Sequence, residues 1–234
     1  MVSMVYLYYD NPDMLRIQLA CWNTYVGVLQ EPPEILLIDD GSPKTSAAEI
    51  VKNTGCKLSI KIFRITEDIP WNFSGARNLG CAHADSWIYV SDIDTVLPAE
   101  DAKRFFEEKP LNEHFFYMPR RVWLPDSREA APAIVNLLFH KKRYLEIGGY
   151  DEDYAGHYGR EETDFYNRLK RVTEKTYRED VVVTAISVTL IADACTALTQ
   201  PRDKTVNARL YTQKEAAGFP APVNPLRFSW EQVL

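Results

Sequence analysis

"WIYVSDIDTVL", Trp87 to Leu97, runs an apolar, strand-like stretch straight into two aspartates, Asp92 and Asp94, one residue apart. Like charges this close repel, and withdrawal from water makes the repulsion worse. A chain that ends a buried strand on such a pair relies on water or on a cation to offset the cost. What precedes the pair decides the sheet it belongs to. "MVYLYY" (4–9), "EILLID" (34–39) and "LSIKIFRI" (58–65) are further strand-like runs, separated by helix-compatible stretches around 13–28, 44–54 and 74–84. Three βα units thus come before the aspartates, the rhythm of an α/β fold with a mostly parallel central sheet flanked by helices.

Downstream, strands are expected at "HFFYMP" (114–119), "AIVNLLFH" (133–140) and "VVVTAISVTLI" (181–191), and helices at about 141–147, 161–171 and 203–216. No repeat and no Gly/Ser linker marks a boundary, so one domain is expected. The segment "AAGFPAPVNPLRFSW" reads as an irregular tail wrapping the surface, with Phe228 and Trp230 as anchors. At 234 residues, 46% apolar and 12% aromatic, the chain buries a sizeable core. No apolar run reaches the roughly 18–20 residues of a membrane span, and "MVSMVYLYYDNPD" lacks a basic signal-peptide start, so a cytoplasmic protein is expected. Cys21, Cys56, Cys81 and Cys195 have no CxxC spacing, which argues against a zinc knuckle or a disulfide framework. A net charge of −6 argues against nucleic acid as a partner. "PRRVW" and "HKKRY" are local basic spots where a phosphate could be met, though a solvated face accounts for them more simply.

In open α/β sheets ligands bind beyond the carboxyl ends of the strands. Polar clusters fall there: "DDGSP" after the second strand, "TEDIPWNFSGARNLG" after the third, "SDIDT" after the fourth; "GREETDF" opens a later helix. Each has a structural alternative. "DDGSP" is a turn and N-cap signal, acidic residues at a helix start complement its dipole, and Arg77 can pair with an aspartate across the sheet end.

As an ordered set, "ILLIDDGSP", "NFSGARNLGCAHADSWIYVSDIDTVL" and "FHKKRYLEIGGYDEDYAGHYGREETDFYNRL" resemble the nucleotide-sugar glycosyltransferases of the GT-A fold, in the family 2-like group. The resemblance implies a Rossmann-like nucleotide-binding half (about 1–97), an acceptor-binding half (about 98–200) and a C-terminal helix and tail (about 201–234). It implies inverting transfer from a nucleoside diphosphate sugar, a UDP-sugar foremost, to a hydroxyl of a glycan or other acceptor. Asp94 would bind Mn²⁺ or Mg²⁺, with Asp92 at the ribose or the metal shell; Asp39, Asp40, Gly41 and Ser42 would hold the nucleoside, joined by Asn78. Arg77 would meet the diphosphate or lock Asp92. The family's acidic pair, usually Glu-Asp, is Glu161-Glu162 here, with Glu162 as the base and Glu161 its rival. His157, Tyr158, Trp71 and Asp164 would face the sugar or acceptor, with Trp123 a further stacking platform. Many relatives add a late histidine to the metal, yet none follows His157; Asp193 stands in its place, and His140 is a weaker candidate.

Three other functions compete. "DIDTV" fits the nucleophile motif of haloacid-dehalogenase-like phosphatases, but follows a fourth strand rather than a first. A nucleotidyltransferase would need a glycine-rich phosphate loop that "YYDNPDML" lacks. A non-catalytic carbohydrate- or nucleotide-binding domain would account for a glutamate in place of the usual aspartate base.

Overall fold

The computed structural model describes residues 1–195, 201–223 and 225–234. The first half follows the expected alternation: β1 (Val2–Tyr8), α1 (Pro12–Asn23), β2 (Glu34–Asp39), α2 (Ala47–Thr54), β3 (Ile60–Ile65), α3 (Phe73–His83) and β4 (Trp87–Ser91). These four strands pair in parallel in the order β3-β2-β1-β4. Both faces are covered, which is why the strands read as continuous apolar runs. Met4, Tyr6, Ile35, Leu37 and Tyr89 join one cluster with Leu15, Leu19 and Trp22 of α1 and Ile50 of α2. The alternate residues Val5, Leu36, Ile38, Ile88 and Val90 join a second cluster with Ala76 and Leu79 of α3. Each fully buried side chain of this size contributes about 1.5–3 kcal/mol.

The second half is mixed. It contains β5 (Thr95–Val96), α4 (Ala99–Phe106), β6 (Phe115–Trp123), β7 (Arg128–Ala130), β8 (Leu137–His140), α5 (Lys141–Glu146), α6 (Glu161–Leu169), β9 (Glu174–Ala185), α7 (Thr205–Ala216) and β10 (Trp230–Gln232). The described strands form one sheet, β10-β3-β2-β1-β4-β8-β6-β9-β5, with β7 on β6. Here β8 runs antiparallel to β4 and β6, whereas β6 and β9 are parallel.

Three expectations change. α4 went unforeseen, although Pro98 caps it, Glu100 and Asp101 occupy its first turn, and Phe105 and Phe106 are buried. β9 starts seven residues earlier than expected, in the charged stretch "EKTYRED", and stops at Ala185, where Ile186 N–H bonds the carbonyl of Asp94 as the last contact with the β5 segment. The tail does not stay irregular to its end, because β10 pairs antiparallel with β3. Phe228 and Trp230 anchor it: Phe228 packs on the α3-side core, and the Trp230 ring stands edge-on to Phe63 and His83. The expected boundary near residue 200 lies outside the described residues. Among the described residues no helix is long and apolar enough to cross a membrane.

"HKKRY" is used by the fold. The Nζ of Lys141 caps the end of α3 through the carbonyls of Ala82 and Ala84, and Lys142 pairs with Glu113 at 2.8 Å. His140 accepts the N–H of Lys142 as the α5 cap, so it is no metal ligand.

Candidate active site

The carboxyl ends of β1, β2 and β4 open onto a cleft of about 730 Å³ whose lining includes Tyr9, Asp40, Trp71, Asp92, Asp94 and Cys195. Strand alternation sorts the two aspartates of "DDGSP". Asp39 continues the Ile35/Leu37 face and is buried against α2: one carboxylate oxygen accepts from Ser42 N–H (2.9 Å), the other from Ala47 N–H (2.9 Å). Both oxygens are spent on the turn and the helix start, which corrects the expectation that Asp39 faces the nucleoside. Asp40 does line the cleft; burial pushes its carboxyl up to about 7, partly offset by the Asn72 amide at 3.1 Å. Ser42 is likewise turned inward, its hydroxyl accepting from Asp10 N–H. Gly41 has φ +76°, and a Cβ there would meet the Glu67 carbonyl at 2.8 Å, so its role is to let two loops touch. Neither residue faces the cleft as a nucleoside contact.

Arg77 is 1% exposed. It donates to the carbonyls of Val5 (3.1 Å) and Ser91 (2.8 Å) and to Asp92 (2.8 Å), so of its two expected roles it takes that of locking Asp92. Asp94 has one weak partner, the Thr95 hydroxyl at 3.3 Å; burial, then the neighbouring Asp92, push it up to about 7. The charge of Arg121, on β6, opposes the rise at both aspartates. Among the described residues no three His, Cys, Asp or Glu side chains form a closed metal site. The hard carboxylate oxygens of Asp92 and Asp94, underpaired as they are, fit Mg²⁺ or Mn²⁺ that draws its other ligands from phosphate and water. Asp193 does not join them: its two oxygens accept from Asp13 N–H (2.7 Å) and Met14 N–H (3.1 Å), capping α1. This corrects its assignment to the metal.

The loop before α6 ends on Arg160 in the left-handed region, φ +80°, which turns the chain sharply into the helix. The first helical residues are the acidic pair. Glu161 is 8% exposed with one carboxylate oxygen buried and unbonded; burial pushes it up to about 7. Glu162 is held well above the usual carboxylate range by burial, then by the charges of Asp92, Glu161 and Asp94, with Arg77 opposing. Four carboxylates from β4, its following loop and α6 thus share one electrostatic field.

Two expected residues are structural instead. Asp164 is buried in an ion pair with Arg168 (2.7 Å), whose guanidinium also donates to the carbonyl of Ile147 (2.8 Å). The amide of Asn78 is saturated: it donates to Tyr150 carbonyl (2.9 Å) and Glu152 (2.7 Å) and accepts from Tyr144 hydroxyl and Tyr150 N–H, both at 2.8 Å. Asp164 is therefore not an acceptor contact, nor Asn78 a nucleotide contact.

A second groove, about 790 Å³, shares Tyr9 and Trp71 with the first and adds His157 and Tyr158. The Trp71 ring lies 4.5 Å from that of Tyr158, inclined at 55°, and Arg202 and Lys204 lie 5.3 and 5.4 Å from the Tyr158 ring. Trp123 carries the Arg121 guanidinium on its face. Two residues near the site had escaped the sequence reading: Tyr9, foreshadowed only by its place just past β1, and Cys195, which lines the cleft where Asp193 was expected.

The family model described as glycosyl transferase family 2 matches residues 19–159, well over half of the chain. Glu161 and Glu162 lie just past that range. Comparison with curated protein sequences gives no match. Among solved structures, S. aureus TarS 1-349 in complex with UDP-GlcNAc has a TM-score of 0.62 at 14% identity, over 80% of this chain and 58% of that one. The mannosyltransferase PcManGT from Pyrobaculum calidifontis, in complex with GDP-Man and Mn²⁺, has a TM-score of 0.59 at 13% identity, over 92% and 68%. GalNAc-T7 with UDP, GalNAc and Mn²⁺ has a TM-score of 0.61 at 14% identity, over 80% and 44%. The chain therefore spans under two thirds of the TarS length. The shared architecture is the GT-A fold, and a phosphatase assignment of "DIDTV" is set aside by it, as by the Arg77 ion pair on Asp92. On the sequence match and the fold together, the chain belongs to glycosyl transferase family 2.

Proposed function

We propose that this protein transfers a sugar, with inversion, from a nucleoside diphosphate sugar, a UDP-sugar foremost, to a hydroxyl of a glycan or other acceptor. The observation that carries this reading is that the charges of Asp92 and Asp94 reach Glu162, and that of Asp92 reaches Glu161, which brings the acidic pair of α6 near the aspartates of the cleft. Inversion needs a leaving-group side and a base side facing each other.

On the leaving-group side, Asp94 with Asp92 would hold Mn²⁺ or Mg²⁺. When bound, that ion supplies Lewis-acid neutralisation of the charge gathering on the diphosphate. Asp40 accepts from an N–H of the base or from ribose hydroxyls, with the Tyr9 ring beside it in the cleft. Arg77 keeps the Asp92 carboxylate fixed by its 2.8 Å bond, so no reorganisation is needed when donor arrives. On the other side, a carboxylate oxygen of Glu162 takes the proton of the attacking hydroxyl. Glu162 gives up its own proton more readily once Asp92 and Asp94 are neutralised, so the fraction ionised and able to accept a proton rises with donor loading. Trp71 and Tyr158 offer ring faces to a sugar, with His157 at the rim.

The test is release of nucleoside diphosphate from a panel of UDP-sugars and GDP-Man, with Mn²⁺ and with EDTA. Slow, metal-dependent release from at least one donor is expected. No release from any donor, together with no thermal stabilisation by any nucleotide, would refute the reading.

A further inference from the structure

"PRRVW" is the basic stretch that the fold does not use up. Its second arginine, Arg121, lies on β6 in register with Val183 of β9, and two residues on Trp123 is level with Ala185, the partner of Thr95. That register brings this end of β6 to the strand that follows Asp94. The guanidinium of Arg121 rests on the Trp123 ring, 4.7 Å from its centroid, and its Nε is buried without a hydrogen bond. Two other arginines have a buried, unbonded Nε, but each has a carboxylate at hand: Arg104 has Asp101 at 2.9 Å and Arg120 has Glu129 at 3.3 Å. Among the described residues the Arg121 side chain has neither ion pair nor hydrogen bond.

Such a group is costly to desolvate unless an acceptor completes it. The register sets Arg121 near the strand that follows Asp94, yet among the described residues neither Asp92 nor Asp94 comes within ion-pair distance of it, so a gap separates guanidinium from carboxylates. The cleft carries Asp40, Asp92 and Asp94, while the buried Arg77 beside it is saturated and Arg202 donates to Cys195. A planar fork stacked on an aromatic face, with its terminal nitrogens unbonded, suits two phosphate oxygens.

We infer that Arg121 is a phosphate-binding residue of the donor site, donating to the diphosphate from the β6 side across from the aspartate pair. This rests on the donor reading given above. Arg121 would hold the donor and favour the charge that builds on the departing diphosphate, while its stem stays on Trp123.

The test is calorimetry in EDTA, which removes any metal contribution, with UDP, uridine and inorganic pyrophosphate as probes against the native protein, Arg121→Met and Arg121→Lys. Methionine keeps much of the stem on Trp123, and lysine keeps the charge without the fork. UDP should bind Arg121→Met at least tenfold more weakly, with uridine unchanged within twofold and the lysine variant between. Melting temperatures within a few degrees of native would show that the variants fold; if the methionine variant does not, the lysine variant alone decides. Equal loss of UDP and uridine affinity, or UDP binding that matches native, would overturn the assignment and leave the donor reading intact. Pyrophosphate binding that depends on Arg121 in a protein that binds no UDP either in EDTA or in Mn²⁺ would uphold the phosphate site and refute the donor reading. No binding of any probe to the native protein in EDTA, with UDP binding in Mn²⁺ that Arg121→Met leaves unchanged, would overturn the Arg121 assignment and leave the donor reading intact; no UDP binding in Mn²⁺ either would overturn both.

Discussion

Asp39 and Asp40 are adjacent, and the structure gives them opposite consequences. Asp39→Ala removes the acceptor of two N–H groups, those of Ser42 and Ala47, each bonded at 2.9 Å and each in a residue at most 2% exposed. A buried donor left unpaired costs about 1–3 kcal/mol, so the pair amounts to about 2–6 kcal/mol. The Arg64 contact adds little, being 3.7 Å long with an arginine about a third exposed. For a chain of this size 1 kcal/mol shifts the melting temperature by about 2–4 °C, so Asp39→Ala should melt roughly 5–20 °C lower. Asp40→Asn removes a carboxylate that burial has already pushed up to about 7, and it can keep the contact with Asn72. At pH 8 it should melt no lower than native while binding UDP less tightly. Thermal and urea unfolding together with UDP calorimetry decide the matter. An Asp39→Ala protein that melts within 1 °C of native but loses UDP affinity would refute the reasoning and make Asp39 the nucleoside ligand.

Asp94→Asn should abolish the difference in UDP affinity between Mn²⁺ and EDTA; a native protein that shows no such difference would remove the metal from the scheme. Glu162→Gln should cut transfer by about 10²-fold or more with donor binding kept, whereas Glu161→Gln, a substitution of the same kind at the same helix start, should turn over. The reverse pattern would make Glu161 the base. Asp40, Asp94 and Glu161 have folded pKa values raised to about 7, above their unfolded values, so their contribution is fully present below about pH 4 and lost as pH rises through 7. Metal-free protein should therefore lose stability from pH 5 to 8, and Mn²⁺ should restore it most at pH 8; a flat profile by urea unfolding would contradict this.

The βα rhythm and the place of "SDIDT" at a cleft were legible because buried parallel strands are continuous apolar runs and because ligand clefts form at their carboxyl ends. What spacing does not show is which way a side chain at a strand end turns. Asp39 and Asp40 are the same residue type in the same motif, and only the alternation of β2 separates the cap from the cleft residue. Asp193 fits the metal in order along the chain, yet it meets two N–H groups of α1 first, 180 and 179 residues away in sequence. β9 was misread because half of it is charged and exposed, so it carries no apolar run. β10 owes its pairing to the edge of β3 and not to its own sequence. α4, by contrast, was visible in "PAEDAKRFF" as a proline, an acidic first turn and apolar residues at helical spacing.

The saturated amide of Asn78 reaches further than its size suggests. Its four bonds join α3, which carries Arg77 and through it Asp92, to the segment from Tyr144 to Glu152. Arg168 grips the same segment from α6, the helix that starts with the acidic pair. The two sides of the proposed displacement are thus gauged against each other through the interior, with no surface loop setting the span. Displacement rates fall steeply with small misplacement of the reacting atoms. A residue that never meets a substrate would on this account set the gap that substrates must fill, and the slack that a mutation introduces there would surface as slowed turnover at unchanged affinity.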